Sequence, residues 1–537
     1  MNSNKRIYVD GIEKSLLEKC KHRIIAITVI FFVTFFIVNI KLISTSKLFQ
    51  DKKEVSRNVV KNPTRGNIYD RNGNVFAVSM PTYSLYSRYK NILNPNYVVK
   101  NLSEIFPELT EQEILIKLQS KKGFSKRHLN PKLAKSVKKI GDPGLKLKEE
   151  LLRVYPYGEE ATYIVGYIGK TTKGLAGIEL KYNDRLIKGE DIYLTIDSRV
   201  QFKLNKILNK GMEKYRYIGA VGIVLDVNTG EVISAVSLPS FNPNPYSENY
   251  NPHSNPNKIT GQTYEMGSIF KSFTIAASLN EKIIDINTII DATKPLKING
   301  RIIRDLHPEN RHLSVEEVFV YSSNIGIAQI GLLLGKEKQS FYFSQLKLDT
   351  VLDTGIPEVQ NPIIPITERN IALATKSYGH GIAVSPLNAI SALAATINGG
   401  IFIEPLFVKD EQYYNRPKYK IFNNEVSEKM KKLYRSVVED EGGTAKKIRS
   451  ELYFVGGKTG TADKFVDGKY HNSKVVSSFI SFFPIDDPKY AVFVLLDEPK
   501  ISENVLGRTA GMNAVPLTKE IIYEIAPILS ETRFSMK

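Results

Sequence analysis

Cysteine is almost absent from this chain of 537 residues: Cys20 is the only one. That excludes an intramolecular disulfide, so the fold rests on packing alone, whether the protein is cytosolic or exported. Histidine is scarce as well. The seven present (His22, His128, His253, His307, His312, His380 and His471) include no HExxH or other paired ligand spacing, so neither a metal nor another cofactor is expected. No nucleic-acid-binding module is readable, and there is no fixed-period repeat or low-complexity tract. The chain also lacks the composition of a disordered protein: 42% of its residues are apolar and 10% aromatic. A length of 537 residues implies two or three compact units with sizeable cores.

Charge of one sign is in excess. The net charge is +18, of which residues 1–43 contribute +4 (seven Lys/Arg against three Asp/Glu). An acidic wall polymer, anionic lipid and a simple Lys-rich bias all fit this surplus, and charge alone does not choose among them. One segment speaks for membrane. Between Arg23 and Lys41 lie 17 uncharged residues, IIAITVIFFVTFFIVNI, a helix of about 25 Å at ~1.5 Å per residue, extended by Leu42 and Ile43 if Lys41 snorkels. Lys5, Arg6, Lys14, Lys19, Lys21 and Arg23 precede it and favour a cytoplasmic N-terminus. No small-x-small cleavage site follows, which points to a retained anchor rather than a signal peptide. The expected plan is a cytoplasmic tail (1–23), a single transmembrane anchor (24–43) and a polar, basic stalk (44–63). An α+β accessory module (64–195) and a larger domain (196–537) follow, both outside the cytoplasm.

Within the accessory module, helical patterns run from Glu111 to Leu118 and from Pro131 to Ile140. Beyond residue 195, the runs Ala220–Val227 and Glu231–Ser237 flank Asn228-Thr229-Gly230 and read as a hairpin. Leu238–Tyr264 reads as a proline-rich loop. Helical patterns follow at 268–279, 314–334 and 367–398, then strands at Tyr453–Val455 running into GGKTGTA, Ser477–Phe483 and Tyr490–Leu496, and a last helix, Thr518–Leu529. Helices inserted among antiparallel strands make the expected class α+β or α/β.

Three short segments carry chemistry. Ser268-Ile269-Phe270-Lys271 puts a hydroxyl and an amine at i and i+3 of an apolar helix, where burial lowers a lysine from its usual ~10.4 into the range of a base. Taken alone, a serine at that position is more often a helix cap than a nucleophile, and SxxK recurs at Ser44, Ser87, Ser136 and Ser344. Ser322-Ser323-Asn324 stands between apolar runs, so its polar side chains need buried partners; SxN also occurs at Ser56, Ser240, Ser247, Ser278 and Ser502. Lys458-Thr459-Gly460-Thr461 occurs once, and Gly456, Gly457 and Gly460 would let a ligand backbone approach.

The ordered trio SxxK, SxN, KTG resembles that of penicillin-binding proteins and serine β-lactamases. The likeness extends further. Arg65-Gly66-Asn67-Ile68-Tyr69-Asp70-Arg71-Asn72-Gly73, then Arg153, Tyr155-Pro156 and Gly158, then Gly174-Leu175-Ala176-Gly177-Ile178-Glu179, are similar to motifs of the class B accessory module. Tyr264-Glu265-Met266-Gly267 resembles the family's approach to the nucleophile, with Met266 in place of a proline. Asp305-Leu306-His307-Pro308, Ser377-Tyr378-Gly379-His380-Gly381 and Ser385-Pro386-Leu387 are similar to the division-specific FtsI branch.

The resemblance implies a pedestal module followed by a transpeptidase domain with a central antiparallel sheet and a helical subdomain. It implies a serine D-Ala–D-Ala transpeptidase that acts on peptidoglycan stem peptides and is inhibited by β-lactams. By this likeness Ser268 is the nucleophile, Lys271 the general base, and Ser322 and Asn324 the relay and amide holders. Lys458 supplies charge, Thr459, Gly460 and Thr461 bind substrate, and the N–H groups of Ser268 and Thr461 form the oxyanion hole. The implied partners are an FtsW-type glycan polymerase and other divisome proteins. A β-lactamase lacks an anchor and a module of this size, a D,D-carboxypeptidase uses the same residues with water as acceptor, and the segment before residue 195 is too short for a glycosyltransferase. An elongation-type class B enzyme and a non-catalytic β-lactam-binding scaffold or sensor are the alternatives.

Overall fold

In the computed structural model the described residues are 8–9, 12–57, 64–169, 172–244, 255–365, 369–409, 415–501 and 507–534. Two units separate, Met1–Thr64 and Arg65–Lys537. The first is dominated by one helix, Lys14–Arg57, within which Leu16–Leu42 is long and apolar enough to cross a membrane. The stretch expected to be a stalk is helical as far as Arg57; residues 44–57 contain no glycine or proline to stop the helix, and residues 58–63 lie outside the described residues.

The second unit opens with a twisted sheet built on the long strand Val75–Ser87. That strand pairs with Ser125–Leu129, Leu145–Val154 and Ile68–Tyr69. Helices Glu111–Gln119 and Pro131–Lys139 fall where the apolar periodicity puts them. Thr110 and Glu113 form a capping box at the first, and Asn130 caps the second ahead of Pro131 at its first turn. Four of the residues that carry the accessory-module resemblance, Arg65, Arg153, Tyr155 and Glu179, meet in one buried ion cluster. Glu179, with no exposed surface, accepts from Arg65 Nε at 2.6 Å, from Arg153 Nε at 2.7 Å and from the Tyr155 hydroxyl at 3.3 Å. Removing the carboxylate leaves two guanidinium groups facing each other in a dry core. Glu179→Ala is therefore expected to cost about 3–5 kcal/mol, read as a lowered midpoint in urea unfolding; a cost below about 1 kcal/mol would mean that the arginines find other partners.

The larger part is organised on a five-stranded antiparallel sheet in the spatial order Gly456–Val466, Lys469–Phe483, Tyr490–Asp497, Gly219–Asp226, Val232–Leu238. Every residue of Gly219–Asp226 and Tyr490–Asp497 is buried, so both faces of the sheet are covered. Helices Ser198–Tyr215 and Ala514–Phe534 pack against the sheet and each other, and Leu204 and Leu208 fill the space left by the missing side chain of Gly222. The predicted hairpin at 220–237 is present, and Arg71 reaches it through Glu231 at 3.0 Å, tying the first motif of the unit to the sheet. Two helices expected to be continuous are broken: 314–334 splits into Val315–Val320 and Asn324–Leu334, and Asn370–Lys376 ends before Pro386–Ala394 begins. Both breaks fall beside the site described next.

Candidate active site

Ser268 lies in a single 3-10 turn, Gly267–Phe270, that runs directly into helix Lys271–Asn280; a continuous helix over 268–279 was expected. Met266 before it adopts φ −84°, ψ −5°, a conformation close to that of proline, so the departure from the family pattern leaves the turn intact. The turn packs against the edge strand Gly456–Val466 at very short range. A side chain at Gly460 would come within 2.4 Å of the Met266 carbonyl, and one at Gly267 within 2.7 Å of the Thr461 carbonyl. The glycines of the KTG segment were expected to admit a ligand backbone. The structure corrects this: the room at Gly456, Gly457 and Gly460 is filled by the protein's own Ile485, Ile480 and Met266. Thr461 turns its carbonyl toward Gly267, and in an extended strand its N–H leaves by the same edge, the one not paired with Lys469–Phe483.

Ser322 occupies the break between the two helices, with φ +59°, the left-handed region that a serine adopts only when its surroundings hold it. Two lysines converge on it. Lys271 donates to both the carbonyl oxygen and the hydroxyl of Ser322, the latter at 3.1 Å, and Lys458 donates to the same hydroxyl at 3.0 Å. Neither lysine has exposed surface. Lys458 also sits 5.5 Å above the Phe319 ring. Burial pushes Lys458 down to about 7. Burial likewise holds Lys271 well below the ordinary lysine range; the neighbouring Lys458 adds to this and Asp305 opposes it.

A cleft of about 550 Å³ opens in front of this pair. Ser268, Ser322, Asn324, Thr459 and Thr461 line it, whereas Lys271, Lys458 and Gly460 lie behind its wall. The Ser268 hydroxyl is half-buried and, among the described residues, is not hydrogen-bonded to Lys271. Asn324 donates its amide to the Arg304 carbonyl at 3.1 Å. Of the isolated SxxK and SxN matches in the second unit, Ser87, Ser136, Ser240, Ser278 and Ser344 do not line this cleft, and Ser247 and Ser502 lie outside the described residues.

Several members of the site were not readable from the motifs. Thr444 shares a hydrogen bond of 2.8 Å with Thr459, and the Ala510 amide donates to Thr461 at 3.2 Å; only the fold brings these segments to the strand edge. At one end of the cleft Glu265 accepts from the Tyr470 hydroxyl at 2.8 Å, and His380 stacks on Tyr470 with centroids 4.4 Å apart.

An antiparallel sheet whose edge faces a buried lysine pair and a half-exposed serine defines a serine acyl-transfer enzyme. Residues 220–523 match the penicillin binding protein transpeptidase domain, and residues 60–223 match the penicillin-binding protein dimerisation domain. A probable peptidoglycan D,D-transpeptidase FtsI of Caulobacter vibrioides is 33% identical over 484 residues, covering 87% of this chain and 82% of that protein. The peptidoglycan D,D-transpeptidase FtsI of Escherichia coli is 25% identical over 474 residues, covering 81% of this chain and 79% of that one. Among solved structures, penicillin binding protein 2X of Streptococcus thermophilus superposes with a TM-score of 0.72 at 22% identity, covering 86% of this chain and 79% of that one; it shares the fold. The chain belongs to the class B penicillin-binding proteins and is a serine-type D-Ala–D-Ala transpeptidase of peptidoglycan.

Proposed function

We propose that this enzyme cross-links stem peptides during septal wall synthesis, with Ser268 as nucleophile, and that β-lactams inhibit it by acylating the same hydroxyl. The reading rests on one observation: two unexposed lysines, Lys271 and Lys458, both donate to Ser322 at the wall of the cleft that holds Ser268. Neutral Lys271 takes the Ser268 proton as Oγ attacks the penultimate D-Ala carbonyl. The N–H groups of Ser268 and Thr461 receive the oxyanion, a contribution of about 3–4 kcal/mol per donor in comparable sites. Thr459 and Thr461 hold the donor carboxylate, Gly460 keeps that strand edge close to the nucleophile turn, and Asn324 holds the substrate amide. Lys271 passes that proton to Ser322 as the Ser322 hydroxyl gives its own to the leaving nitrogen, the C–N bond breaks and D-Ala departs. An amine from a second stem peptide then attacks the ester and gives up a proton to Lys271, the C–Oγ bond breaks, and Lys271 returns that proton to Ser268. In a β-lactam the leaving nitrogen stays tethered to the acyl group.

Residues 1–23 are assigned to the cytoplasm, 24–43 to a single-pass anchor in the inner membrane, 44–63 to a stalk, 64–195 to the accessory module and 196–537 to the transpeptidase domain. The septal assignment follows the FtsI names of the relatives, and it brings an FtsW-type glycan polymerase and other divisome proteins as partners.

The test is covalent labelling of the purified chain by a fluorescent penicillin. Ser268→Ala is expected to abolish labelling, and a donor peptide with an added amine acceptor is expected to give cross-linked product in the unsubstituted protein only. Labelling that survives in Ser268→Ala overturns the assignment. Because Lys271 must be neutral to accept a proton, and burial depresses its folded value, acylation is expected to fall as pH drops through that value. A rate that rises as the pH is lowered would contradict a lysine base. Imaging of a tagged copy during division separates septal from elongation placement.

A further inference from the structure

The positive charge of the ectodomain is concentrated away from the catalytic cleft. Residues 88–148 hold 14 Lys/Arg against five Asp/Glu, or +9, which is half of the net +18 on about a ninth of the chain. Residues 149–537, which include the five-stranded sheet and the cleft, hold 46 against 45, or +1. A general Lys-rich bias would place about +2 in a segment of that length, so the excess is local.

The segment packs around a core of its own, in which Leu102, Leu118, Phe124 and Val137 are buried. Helix Pro131–Lys139 lies on the sheet through Ala134 and Val137. Lys132, Lys135 and Lys139 fall at i, i+3 and i+7 on its exposed side, with Lys138 beside them, and the helix contains no acid. Lys132 with Lys135, and Lys135 with Lys139, are like-charge neighbours that weaken the helix. On the reverse face of the sheet, exposed Lys146 and Lys148 alternate with Leu145 and Leu147, which pack on the core. The acids of the segment are engaged elsewhere. Glu108 pairs with Lys126, Glu113 completes a capping box, and Asp142 accepts from the Leu93 and Gly144 amides. Among the described residues the salt bridges of this segment are Lys126 to Glu108 and Arg127 to Glu150, and the six lysines stand outside them. Self-repelling charge carried on two opposite faces suits a flexible polyanion that can wrap around the segment. A bilayer presents one plane and meets one face at a time. The substrate of this enzyme has the required form: a glycan strand with a D-Ala carboxylate at the end of each uncross-linked stem peptide.

We propose that residues 88–148 form a docking surface for uncross-linked peptidoglycan strands, in which the helix lysines and the sheet lysines hold stem-peptide carboxylates and keep a strand close to the enzyme while the cleft acts on it. Each exposed contact is weak, so the hold comes from their number and is screened by salt.

The experiment is co-sedimentation of the full chain in detergent with purified insoluble peptidoglycan, after penicillin has filled the cleft so that the active site does not contribute. Lys132→Gln, Lys135→Gln, Lys138→Gln, Lys139→Gln, Lys146→Gln and Lys148→Gln together are expected to weaken binding about tenfold, and arginine at the same six positions to keep it. Binding of the unsubstituted chain is expected to drop several-fold between about 50 and about 200 mM salt, and to vanish when the carboxylates of the wall are first converted to neutral amides. The glutamine variant should take up fluorescent penicillin at the unsubstituted rate and melt no lower, since its helix has lost a repulsion, yet cross-link glycan strands about threefold more slowly. Sedimentation of the glutamine variant equal to that of the unsubstituted chain overturns the proposal, as does undiminished binding to the amidated wall. A lipid surface is tested by reconstituting the full chain in bilayers of phosphatidylglycerol or of phosphatidylcholine and following acetylation of Lys132 and Lys146. Protection by phosphatidylglycerol, with none on adding soluble glycan strands, would assign the surface to the membrane and overturn the proposal.

Discussion

Lys271→Met is expected to lower the rate of acylation by a fluorescent penicillin about 10³-fold and to raise the melting temperature. The loss follows from the chemistry: methionine fills much the same volume but cannot take the Ser268 proton, and general-base catalysis is worth about 10²–10⁴. The gain follows from burial. Lys271 has no exposed surface and, among the described residues, no carboxylate within salt-bridge distance. An amine kept there costs folding free energy, and a thioether that packs without desolvation recovers about 1 kcal/mol or more. The sign with pH can be worked out. Both lysines hold protons less tightly in the folded state than in the unfolded, so stability rises with pH across the window between the two values, from about 7 to 10.5 for Lys458. The unsubstituted protein therefore closes the gap on Lys271→Met as pH rises, and the stability gain is widest in acid. Thermal melts at two pH values check this beside the labelling rate. A variant that loses both activity and stability would show that the two hydrogen bonds to Ser322 outweigh the cost of burying the amine.

Much of the fold was readable because local signals and tertiary demands agree. Asn228-Thr229-Gly230 between two β-branched runs gives a hairpin in any context that covers its faces, and the helices at 111–119 and 131–139 carry both their caps and their apolar stripes. The reading fails where the chain departs from periodicity for a tertiary reason. Apolar runs flank Ser322-Ser323-Asn324 within the helical pattern of 314–334, yet Ser322 takes a left-handed turn, and the lysines that meet it, Lys271 and Lys458, are distant in sequence. Thr444 at the strand edge is invisible for the same reason. The site motifs were legible as a set because each needs a particular residue at a particular position. The space left by the glycines was misread because the sequence does not say which backbone fills it.

That space yields the second large prediction. Gly379, Gly300 and Gly468 share the same backbone angle, φ +78°, so alanine at each carries the same left-handed penalty of about 1–2 kcal/mol. Their surroundings differ completely. A side chain at Gly300 or Gly468 meets nothing within 4 Å, whereas one at Gly379 comes within 2.2 Å of the Gly267 carbonyl oxygen. The obstructing atom is backbone, so no rotamer change relieves it. Gly267 in turn lies against the Thr461 carbonyl, so three backbone segments stack without a side chain between them. Pushing the first moves the third, and Ser268 is the next residue along. Gly379→Ala is therefore expected to cost at least about 3 kcal/mol in urea unfolding and to lower penicillin acylation about a hundredfold, since a displacement of ~1 Å in a reacting group is enough for that loss. Gly300→Ala and Gly468→Ala should lose only the backbone penalty and acylate at the unsubstituted rate. Equal behaviour of the three would mean that the stack beneath the nucleophile yields freely, and that its close packing does not set the position of Ser268.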